Sequence, residues 1–469
     1  MDTSKNTPTQ DKQWTLSEHS LVSVLSENHY TPKQFVKALG APSFTDLMRK
    51  IKPQGLPWFN ALIKTKVYSH LPKLDFRFAK ECGRSWFSER CWEIQSYTFS
   101  YRSLTVDNRE TVLSGRVTFL NNKQEGTPHQ VKTISLSAHQ AFFDPDWTPS
   151  RNLMYTPLKA LWDSAVIEPD QQKWGITHGI ESDGSGSSVH MAQQYADCIV
   201  AALEIMRQHG VTLAPDGYTT NWGSSQGALT ALFFAKWYDE EAPKWFKDTL
   251  KLKSTFSSEG AVLTKEFREY TYQHPEYIAI ELTVMVSYFK AFSQEQLGGY
   301  KPEDFVPEWY LDKKYEHNGR KISFFDAISH YFPEITDPIT KDLTSFDQVV
   351  APDMLTADGK VDMDCPKMRA WLACLAKYNN PDGWVHAHPV YMVHSPEDVM
   401  IPYKEAYRLY LRISNDGKNP IVHMKDVPSV RFIPAGGLNP LFIIAFFIQM
   451  YKAFSENPED MRLLRNSDK

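Results

Sequence analysis

A five-residue run at 223–227, Gly-Ser-Ser-Gln-Gly, carries the side chain best placed for covalent chemistry. An aromatic stretch at 218–222 precedes it and an almost wholly apolar stretch at 226–238 follows it, which predicts a strand, a sharp turn and a buried helix. A serine between two glycines in that context is the arrangement of a serine nucleophile. We therefore predict Ser225 as the nucleophile and the backbone N–H of Gln226, at the positive end of the helix, as an oxyanion donor. The simpler alternative is a surface Gly-Ser turn.

A second oxyanion donor is expected from a loop that follows an earlier strand. The alternating stretch 131–138 predicts such a strand, and His139 and Gln140 come directly after it. Both residues are candidates for this donor. The alternative for His139 is an ordinary loop histidine with a local hydrogen-bond partner.

The orienting acid is predicted at the end of a late strand. The apolar stretch 390–393 runs into a polar loop that contains Asp398, and a carboxylate at the carboxyl end of a late parallel strand is where such a site takes its acid. Glu397 is adjacent and competes with Asp398. Glu259, after a strand predicted at 252–256, is a further alternative, and Asp398 as a plain loop or helix-capping residue is the non-catalytic interpretation.

The base is missing from its expected place. The chain order of such a site is serine, acid, histidine, so the histidine should follow the last strand, which we predict at 430–433 before a closing helix at 441–454. That loop holds Asn439, whose side chain cannot accept a proton at neutral pH. The only histidine after Asp398 is His423, placed before the predicted last strand. Loss of the base in the natural protein, or a substitution in this chain, is favoured over an unusual approach by His423.

Other histidines offer a metal site as a different kind of function. His386 and His388 have strand spacing that puts both rings on one face, and His178 and His190 lie in a polar stretch. Further ligands at metal spacing do not accompany them. We therefore predict neither a metal nor a cofactor.

Composition and charge exclude several classes of protein. The 469 residues are 42% apolar and 23% charged, which is typical of a globular chain. The net charge of −5 argues against nucleic acid as a partner. The apolar run at 441–450 is too short to cross a bilayer, so we predict no transmembrane segment. The polar start at 1–13 fits either a cytosolic protein or an exported one without its leader, and in an exported protein Cys82 and Cys91 are close enough to pair.

The predicted elements define an α/β architecture. From residue 101 onward strands alternate with helices, which implies a mainly parallel sheet with helices on both faces. We divide the chain into a mostly helical N-terminal extension (1–100), a first core part (101–261), a helical cap insertion (262–382) and a second core part (383–469). Within the extension a helix is predicted after Ser17, a short helix from Thr31, and a strand at 92–101.

The order of these motifs resembles the α/β-hydrolase superfamily, most closely its secreted lipase and esterase group with a helical insertion and an extended N-terminal segment. The matching stretches lie at 104–117, 166–175, 223–227 and 394–402. The resemblance implies Ser225 as the nucleophile, Asp398 as the acid and Asn439 at the position of the base. It also favours export. The chain departs from the family pattern at His139–Gln140, which lacks a His-Gly pair, after Asp170, which lacks an aromatic neighbour, and at Asn439.

Two functions follow as expectations. The first is a serine hydrolase of lipase or esterase type that cleaves a small-molecule carboxylic ester with an apolar acyl group, with peptide hydrolysis as the variant of the same chemistry. The second is a non-catalytic protein of the same fold that binds an apolar small molecule or a partner, because Asn439 stands where the base should be.

Overall fold

A single large sheet forms the framework of the protein. The structure is a computed structural model that describes residues 14–31, 34–35, 38, 92–122, 128–138, 148–153, 157, 159–160, 163–260, 265–274, 278–331, 343–394, 396 and 401–426. Within these residues the strands, in chain order, are β1 (Leu21–Tyr30), β2 (Trp92–Leu104), β3 (Glu110–Asn122), β4 (His129–Ala138), β5 (Ser164–Pro169), β6 (Val211–Ser224), β7 (Leu252–Ser258), β8 (Lys314–His317), β9 (Arg320–Ser323), β10 (Val390–His394) and β11 (Val422–Asp426).

Strands of the large sheet follow the order β1-β2-β3-β5-β4-β6-β7-β10-β11, whereas β8 and β9 form a separate hairpin. The pairs from β5 to β11 are parallel, and those between β1, β2, β3 and β5 are antiparallel. The helices are α1 (Ser188–Gln208), α2 (Gln226–Glu240), α3 (Lys244–Leu250), α4 (Lys265–Tyr272), α5 (Ile278–Ala291), α6 (Glu308–Leu311), α7 (Phe324–Tyr331), α8 (Pro366–Tyr378) and α9 (Tyr403–Ile413).

Helical crossovers explain the parallel half of the sheet. Helices form the connections β5–α1–β6, β6–α2–α3–β7 and β10–α9–β11. Each connection carries the chain from the carboxyl end of one strand back to the amino end of the next, as parallel pairing requires. Most residues of α1 are buried. The apolar residues of α2 are buried on nearly all sides of the helix. The predicted α/β class, a mainly parallel sheet flanked by helices, is confirmed.

The stretch between β7 and β10 has a core of its own. Within the described residues, none of the chain from 265 to 389 joins the large sheet, and most of its buried aromatic residues belong to a separate cluster that includes Phe289, Phe305 and Trp371. Asn379 ties this part to α1, because its Oδ1 accepts the Ser188 N–H at 3.1 Å and its Nδ2 donates to the Gly186 carbonyl at 2.7 Å. The division of the chain into domains remains a prediction.

The helix predicted after Ser17 is wrong. Residues 21–30 instead form β1, which pairs antiparallel with β2. Hydroxyl pairs such as Ser26 Oγ to Thr98 Oγ1 at 2.6 Å join the two strands. The apolar residues that suggested a helix face are largely exposed, since the strand is held by a partner about 70 residues away in the chain. A local pattern cannot contain that information.

The end of the chain is only partly described. The predicted strand at 430–433 and helix at 441–454 lie outside the described residues. His423 lies within β11, the last described strand. Cys198, Cys365 and Cys374 are buried free thiols, while Cys82 and Cys91 are outside the described residues. In the described part of the chain, no helix combines the length and apolar character needed to cross a membrane.

Candidate functional site

Ser225 occupies a strained turn between β6 and α2. It directly follows the last residue of β6 and precedes the first residue of α2, with φ 54° and ψ −121°. A residue with a side chain rarely adopts this positive φ, and such strain concentrates at functional sites. The residue is half-buried and follows the carboxyl end of β6. This is the strand–turn–helix context that a serine nucleophile requires.

Neither glycine of the motif has room for a side chain. A Cβ on Gly223 would lie 1.9 Å from the Gly227 carbonyl oxygen, and a Cβ on Gly227 would lie 2.3 Å from the Ala138 carbonyl oxygen. Either contact is far inside van der Waals range. The turn therefore packs backbone against backbone, with the end of β4 pressed beside it.

Backbone hydrogen bonds lock the turn in place. The Ser225 N–H donates to the Ser258 carbonyl at 2.8 Å, and the Ser225 carbonyl accepts from the Ala228 N–H at 3.0 Å. A Cβ on Gly260 would lie 2.7 Å from the Ala228 Cβ, so the chain after β7 runs directly against the first turn of α2. The nucleophile candidate is thus held from β7 as well as from its own strand.

Of the predicted oxyanion donors, Gln226 is among the described residues. Gln226 is the first residue of α2 and the neighbour of Ser225, where its N–H lies at the positive end of the helix dipole. Its side chain turns towards α1, with Nε2 3.6 Å from the Met191 sulfur. His139 and Gln140 lie outside the described residues. The strand that leads to them, β4, ends at Ala138 beside Gly227, so this loop starts at the nucleophile turn.

The described residues on either side of the predicted acid are joined by a hydrogen bond. Asp398 and Glu397 are outside the described residues. The last residue of β10, His394, is buried, and its Nε2 donates to the Ile401 carbonyl at 2.8 Å. The chain therefore leaves β10 and returns at the start of α9 to the same point, and residue 398 lies between these ends.

His423 lies away from the nucleophile. Asn439 is outside the described residues. Pairing across β6, β7, β10 and β11 places Trp222, Phe256, Tyr391 and His423 in one row. The His423 ring stacks on Tyr391 at 5.1 Å, and Tyr391 stacks on Phe256 at 5.1 Å. Three strand spacings, about 14 Å, separate His423 from the nucleophile strand. The unusual approach by His423 therefore gains no support.

Glu259 comes close to the nucleophile turn through the backbone. It follows Ser258, the residue whose carbonyl holds Ser225, and its own N–H donates to the Val393 carbonyl at 2.9 Å. Glu259 has a positive φ of 58° and is only 6% exposed. The sequence offered it as an alternative acid, but nothing in the local pattern predicted its strained backbone.

The histidines proposed as an alternative metal site are engaged in other contacts. His386 Nε2 donates to the Ile413 carbonyl at 2.8 Å, His190 Nδ1 lies 2.6 Å from Ser187 Oγ, and the His178 ring stacks on Trp174. Burial lowers the pKa of His190 to about 4. Among the described residues, no group of three or more metal-ligating side chains comes together.

A buried carboxylate organises the loop after β5. Asp170 accepts hydrogen bonds from Ser114 Oγ and from the Ser150 N–H, and burial raises the pKa of Asp170. Gly175 has a positive φ and no room for a side chain, since a Cβ would lie 2.0 Å from Asp170 Oδ2. The neighbouring Gln171 reaches α2, where its Nε2 is 3.4 Å from a threonine hydroxyl. This loop therefore supports the helix that follows the nucleophile.

Comparisons with known proteins agree with this architecture. No protein-family model matches the chain, and a search of curated proteins found no match. Among solved structures, the chain is similar to the Legionella pneumophila protein lpg1103, assigned as a hydrolase, with a TM-score of 0.59, 15% identity, and coverage of 94% of this chain and 99% of that one. It is also similar to the rice cell wall degrading esterase LipA from Xanthomonas oryzae, with a TM-score of 0.57, 12% identity, and coverage of 92% and 97%. The chain has the α/β-hydrolase fold, and at these identities the likeness establishes the fold alone.

Proposed function

We propose that the protein is a serine hydrolase that cleaves carboxylic esters, with Ser225 as its nucleophile. The observation that carries the proposal is the turn itself. A serine with positive φ stands between β6 and α2. The positions two residues before it and two residues after it are glycines, and neither position has room for a side chain. The lipase and esterase kind of hydrolase is supported by the esterase among the structural neighbours.

The chemistry assigns one role to each candidate. Ser225 Oγ attacks the ester carbonyl, and the oxyanion is held by the Gln226 N–H together with a donor from His139 or Gln140. Asp398 is the acid that would orient a histidine at position 439 in a complete triad. Because asparagine cannot accept the serine proton, this chain is expected to be slow. A triad that lacks one member retains only on the order of 10³–10⁴ over the uncatalysed rate.

The proposed substrate class is supported by the insertion. Its aromatic cluster docks beside the loop that precedes α1, where Ser185 Oγ donates to the Tyr288 hydroxyl at 3.1 Å. Lys404 on α9 lies 4.2 Å from the Tyr270 ring on α4, which ties the insertion to the helix after the acid loop. An apolar, aromatic part placed against this edge of the sheet favours an ester with an apolar acyl group over a charged one.

The decisive test is to restore the base. We expect Asn439→His to raise the hydrolysis rate of a short-chain nitrophenyl ester by about 10²–10⁴-fold, the usual contribution of a general base. Ser225→Ala is the blank, and the double variant Ser225→Ala/Asn439→His should match it. If the double variant is as fast as Asn439→His, Ser225 is not the nucleophile and the proposal fails.

Asn439 itself favours a second candidate, a non-catalytic protein that binds an apolar small molecule or a partner. This candidate predicts tight binding of a nitrophenyl ester without turnover, and no gain from Asn439→His. Calorimetric titration of the ester into Ser225→Ala and into the native chain measures binding apart from chemistry. Equal, saturable binding with rates that stay at the blank in all variants would select this candidate.

A further inference from the structure

We propose that the insertion docks on the core through two histidines that must be uncharged, so that mild acid releases it. His190 lies in the first turn of α1, on the core side, and His330 lies in the last turn of α7, within the insertion. Both pack where the insertion meets the loop that joins β5 to α1. The consequence for access to Ser225 rests on the proposed function, whereas the test below measures docking and not hydrolysis.

His190 is buried beneath the end of α8. Its exposed fraction is 5%, and its ring centroid lies 5.2 Å from that of Tyr378, the last residue of α8. Its Nδ1 is 2.6 Å from Ser187 Oγ. Close to it in the chain, the Ser188 N–H and the Ser188 hydroxyl both donate to Asn379 Oδ1. The insertion therefore covers this histidine and is hydrogen-bonded to the core beside it.

A positive charge on His190 is poorly accommodated at this place. The Ser187 hydroxyl, its partner, is neutral, and burial lowers the pKa of His190 to about 4. Asp107, between β2 and β3, raises this pKa in part, and Lys377 on α8 lowers it further. His190 is also the third residue of α1, where the positive end of the helix dipole disfavours a cation. The docked insertion therefore favours the neutral imidazole.

His330 makes the corresponding contact from the side of the insertion. Its Nε2 lies 3.4 Å from Ser182 Oγ, in the loop before α1. The next residue, Tyr331, packs edge-on against His178 with ring centroids 5.9 Å apart. The Tyr331 hydroxyl oxygen would lie 3.1 Å from a Cβ on Gly179. The end of α7 is thus packed against the same loop.

Charges of both signs face His330, and their sum with burial leaves its pKa below the ordinary value. Burial is the largest cause, and Lys290 on α5 and Lys173 in the loop after β5 act in the same direction. Asp326 on α7, with Oδ1 4.0 Å from His330 Nδ1, and Glu181 in that loop act in the opposite direction. They do not outweigh the other causes. Protonation of His330 therefore also opposes docking.

The contact region lies at the edge of the sheet that carries Ser225. Strands β5 and β6 both pair parallel with β4, so the loop after β5 and the turn after β6 leave the sheet on the same side. Met191, the neighbour of His190, has its sulfur 3.6 Å from Gln226 Nε2. Release of the insertion from this loop would therefore open the surroundings of the proposed nucleophile.

The direction of the pH response follows from the two lowered pKa values. Docking is most stable above the ordinary histidine pKa of 6.5 and weakens as pH falls below it, because the released histidines bind protons that the docked ones do not. If His190 regains its ordinary pKa on release, its docked pKa of about 4 makes the docking equilibrium about 30-fold weaker at pH 5 than at pH 8. His330 adds to this in the same direction.

The experiment follows the backbone N–H of Ser188, because its acceptor, Asn379 Oδ1, belongs to the insertion. Hydrogen exchange of the full native chain is measured at pH 5 and pH 8 by mass spectrometry with residue-level fragmentation, and each rate is corrected for the intrinsic pH dependence of exchange. We expect the protection factor of this amide to be at least about 30-fold lower at pH 5, while the amides of α2 stay protected. Equal protection of Ser188 at both pH values would overturn the proposal, and so would a parallel loss in α2, which would indicate global unfolding.

Two substitutions assign the response to the histidines. His190→Gln and His330→Gln each keep a hydrogen-bonding side chain that stays neutral, so the double variant should hold the Ser188 protection factor within about 3-fold between pH 5 and pH 8. His386→Gln is the matched control, because burial also lowers the pKa of His386 but its ring is bonded to the Ile413 carbonyl within the core. It should respond as the native chain does. A folded double variant that keeps the native response would contradict the proposal, and neither result bears on Ser225 as the nucleophile.

Discussion

Two ends of the same sheet each carry a hydroxyl side chain, and only one of them has the form of an active site. At the amino end of β10, His388 Nδ1 donates to Asp239 Oδ1 at 2.9 Å, and His388 Nε2 lies 2.9 Å from Thr255 Oγ1. The residue types and distances match a nucleophile, base and acid. At the carboxyl end stands Ser225, for which the described residues show no imidazole partner.

The difference between the two ends lies in the backbone and in access. Thr255 is in the middle of β7 and wholly buried, and its hydroxyl also accepts a bond from Asn221 Nδ2 at 3.3 Å. Asp239 accepts further bonds from Trp384 Nε1 at 2.9 Å and the Ala387 N–H at 3.0 Å. The side-chain polar atoms of Asp239, His388 and Thr255 all have partners within the protein, so the network joins the end of α2 to the start of β10. A buried group with the residue types of a catalytic triad therefore stabilises the fold. A strained, half-buried turn is instead the arrangement that a substrate can reach.

The largest effect should come from filling the space beside the nucleophile. Gly227→Ala places a Cβ 2.3 Å from the Ala138 carbonyl oxygen, a contact that only backbone movement can relieve. We expect fluorophosphonate labelling of Ser225 to be lost and the free energy of unfolding to fall by roughly 3 kcal/mol or more. Labelling followed by mass spectrometry and urea denaturation measure the two effects.

Gly359→Ala is the control for this substitution. A Cβ at Gly359 would meet open space, so the only cost expected there is that of its positive φ of 78°. It should lose about 1 kcal/mol and no labelling. Normal labelling of Ser225 in Gly227→Ala would show that the turn does not need its tight packing, and the contrast between the two ends would weaken.

Breaking the network at the other end should affect stability and not chemistry. His388→Ala leaves the buried Asp239 and Thr255 without their common partner and opens a cavity, so we expect unfolding to become easier by about 3 kcal/mol. Hydrolysis by the Asn439→His chain should be unchanged at temperatures where the variant is folded. The measurements are urea denaturation and the initial rate with a nitrophenyl ester.

His386→Ala is the matched variant, because His386 is two residues away and makes one hydrogen bond to a carbonyl. Its cost should be nearer 1 kcal/mol. Ser225→Ala should show the opposite result: the rate of ester hydrolysis is lost and the free energy of unfolding is unchanged. A His388→Ala variant that is stable but slow would mean that this network takes part in the reaction.

These contrasts also explain how much the sequence could predict. The strand at 218–222, the turn and the helix at 226–238 were predictable, because a buried helix after a Gly-x-Ser-x-Gly run is a local signal. The strained Glu259 and the pairing of His388 with Asp239 were not, since each depends on a contact between segments far apart in sequence. For the same reason β1 was mistaken for a helix. Asp398, Asn439, His139 and Gln140 stay predictions from motif order.

The smallest expected effect concerns a third buried acid, Asp197, which differs from Asp239 in its partners. Asp197 on α1 accepts from Trp14 Nε1 at 3.1 Å and Ser103 Oγ at 2.8 Å, and both donors are neutral. Burial raises the pKa of Asp197 to about 7. The folded chain therefore keeps a proton that the unfolded chain releases above about pH 4, so this residue lowers the stability of the fold as pH rises from about 4 to 7.

Asp197→Asn removes the titration and keeps an oxygen acceptor for Trp14 and Ser103. We expect the variant to be more stable than the native chain by about 1–3 kcal/mol at pH 8 and to lose this advantage towards pH 4, because the native carboxyl is then neutral as well. Urea denaturation at several pH values, with tryptophan fluorescence as the signal, gives the difference between the two curves. Asp248→Asn makes the same chemical change at a well-exposed aspartate on α3 and serves as the control. If the native and Asp197→Asn curves run parallel across this range, the burial of Asp197 does not contribute to the pH dependence of the stability of this fold.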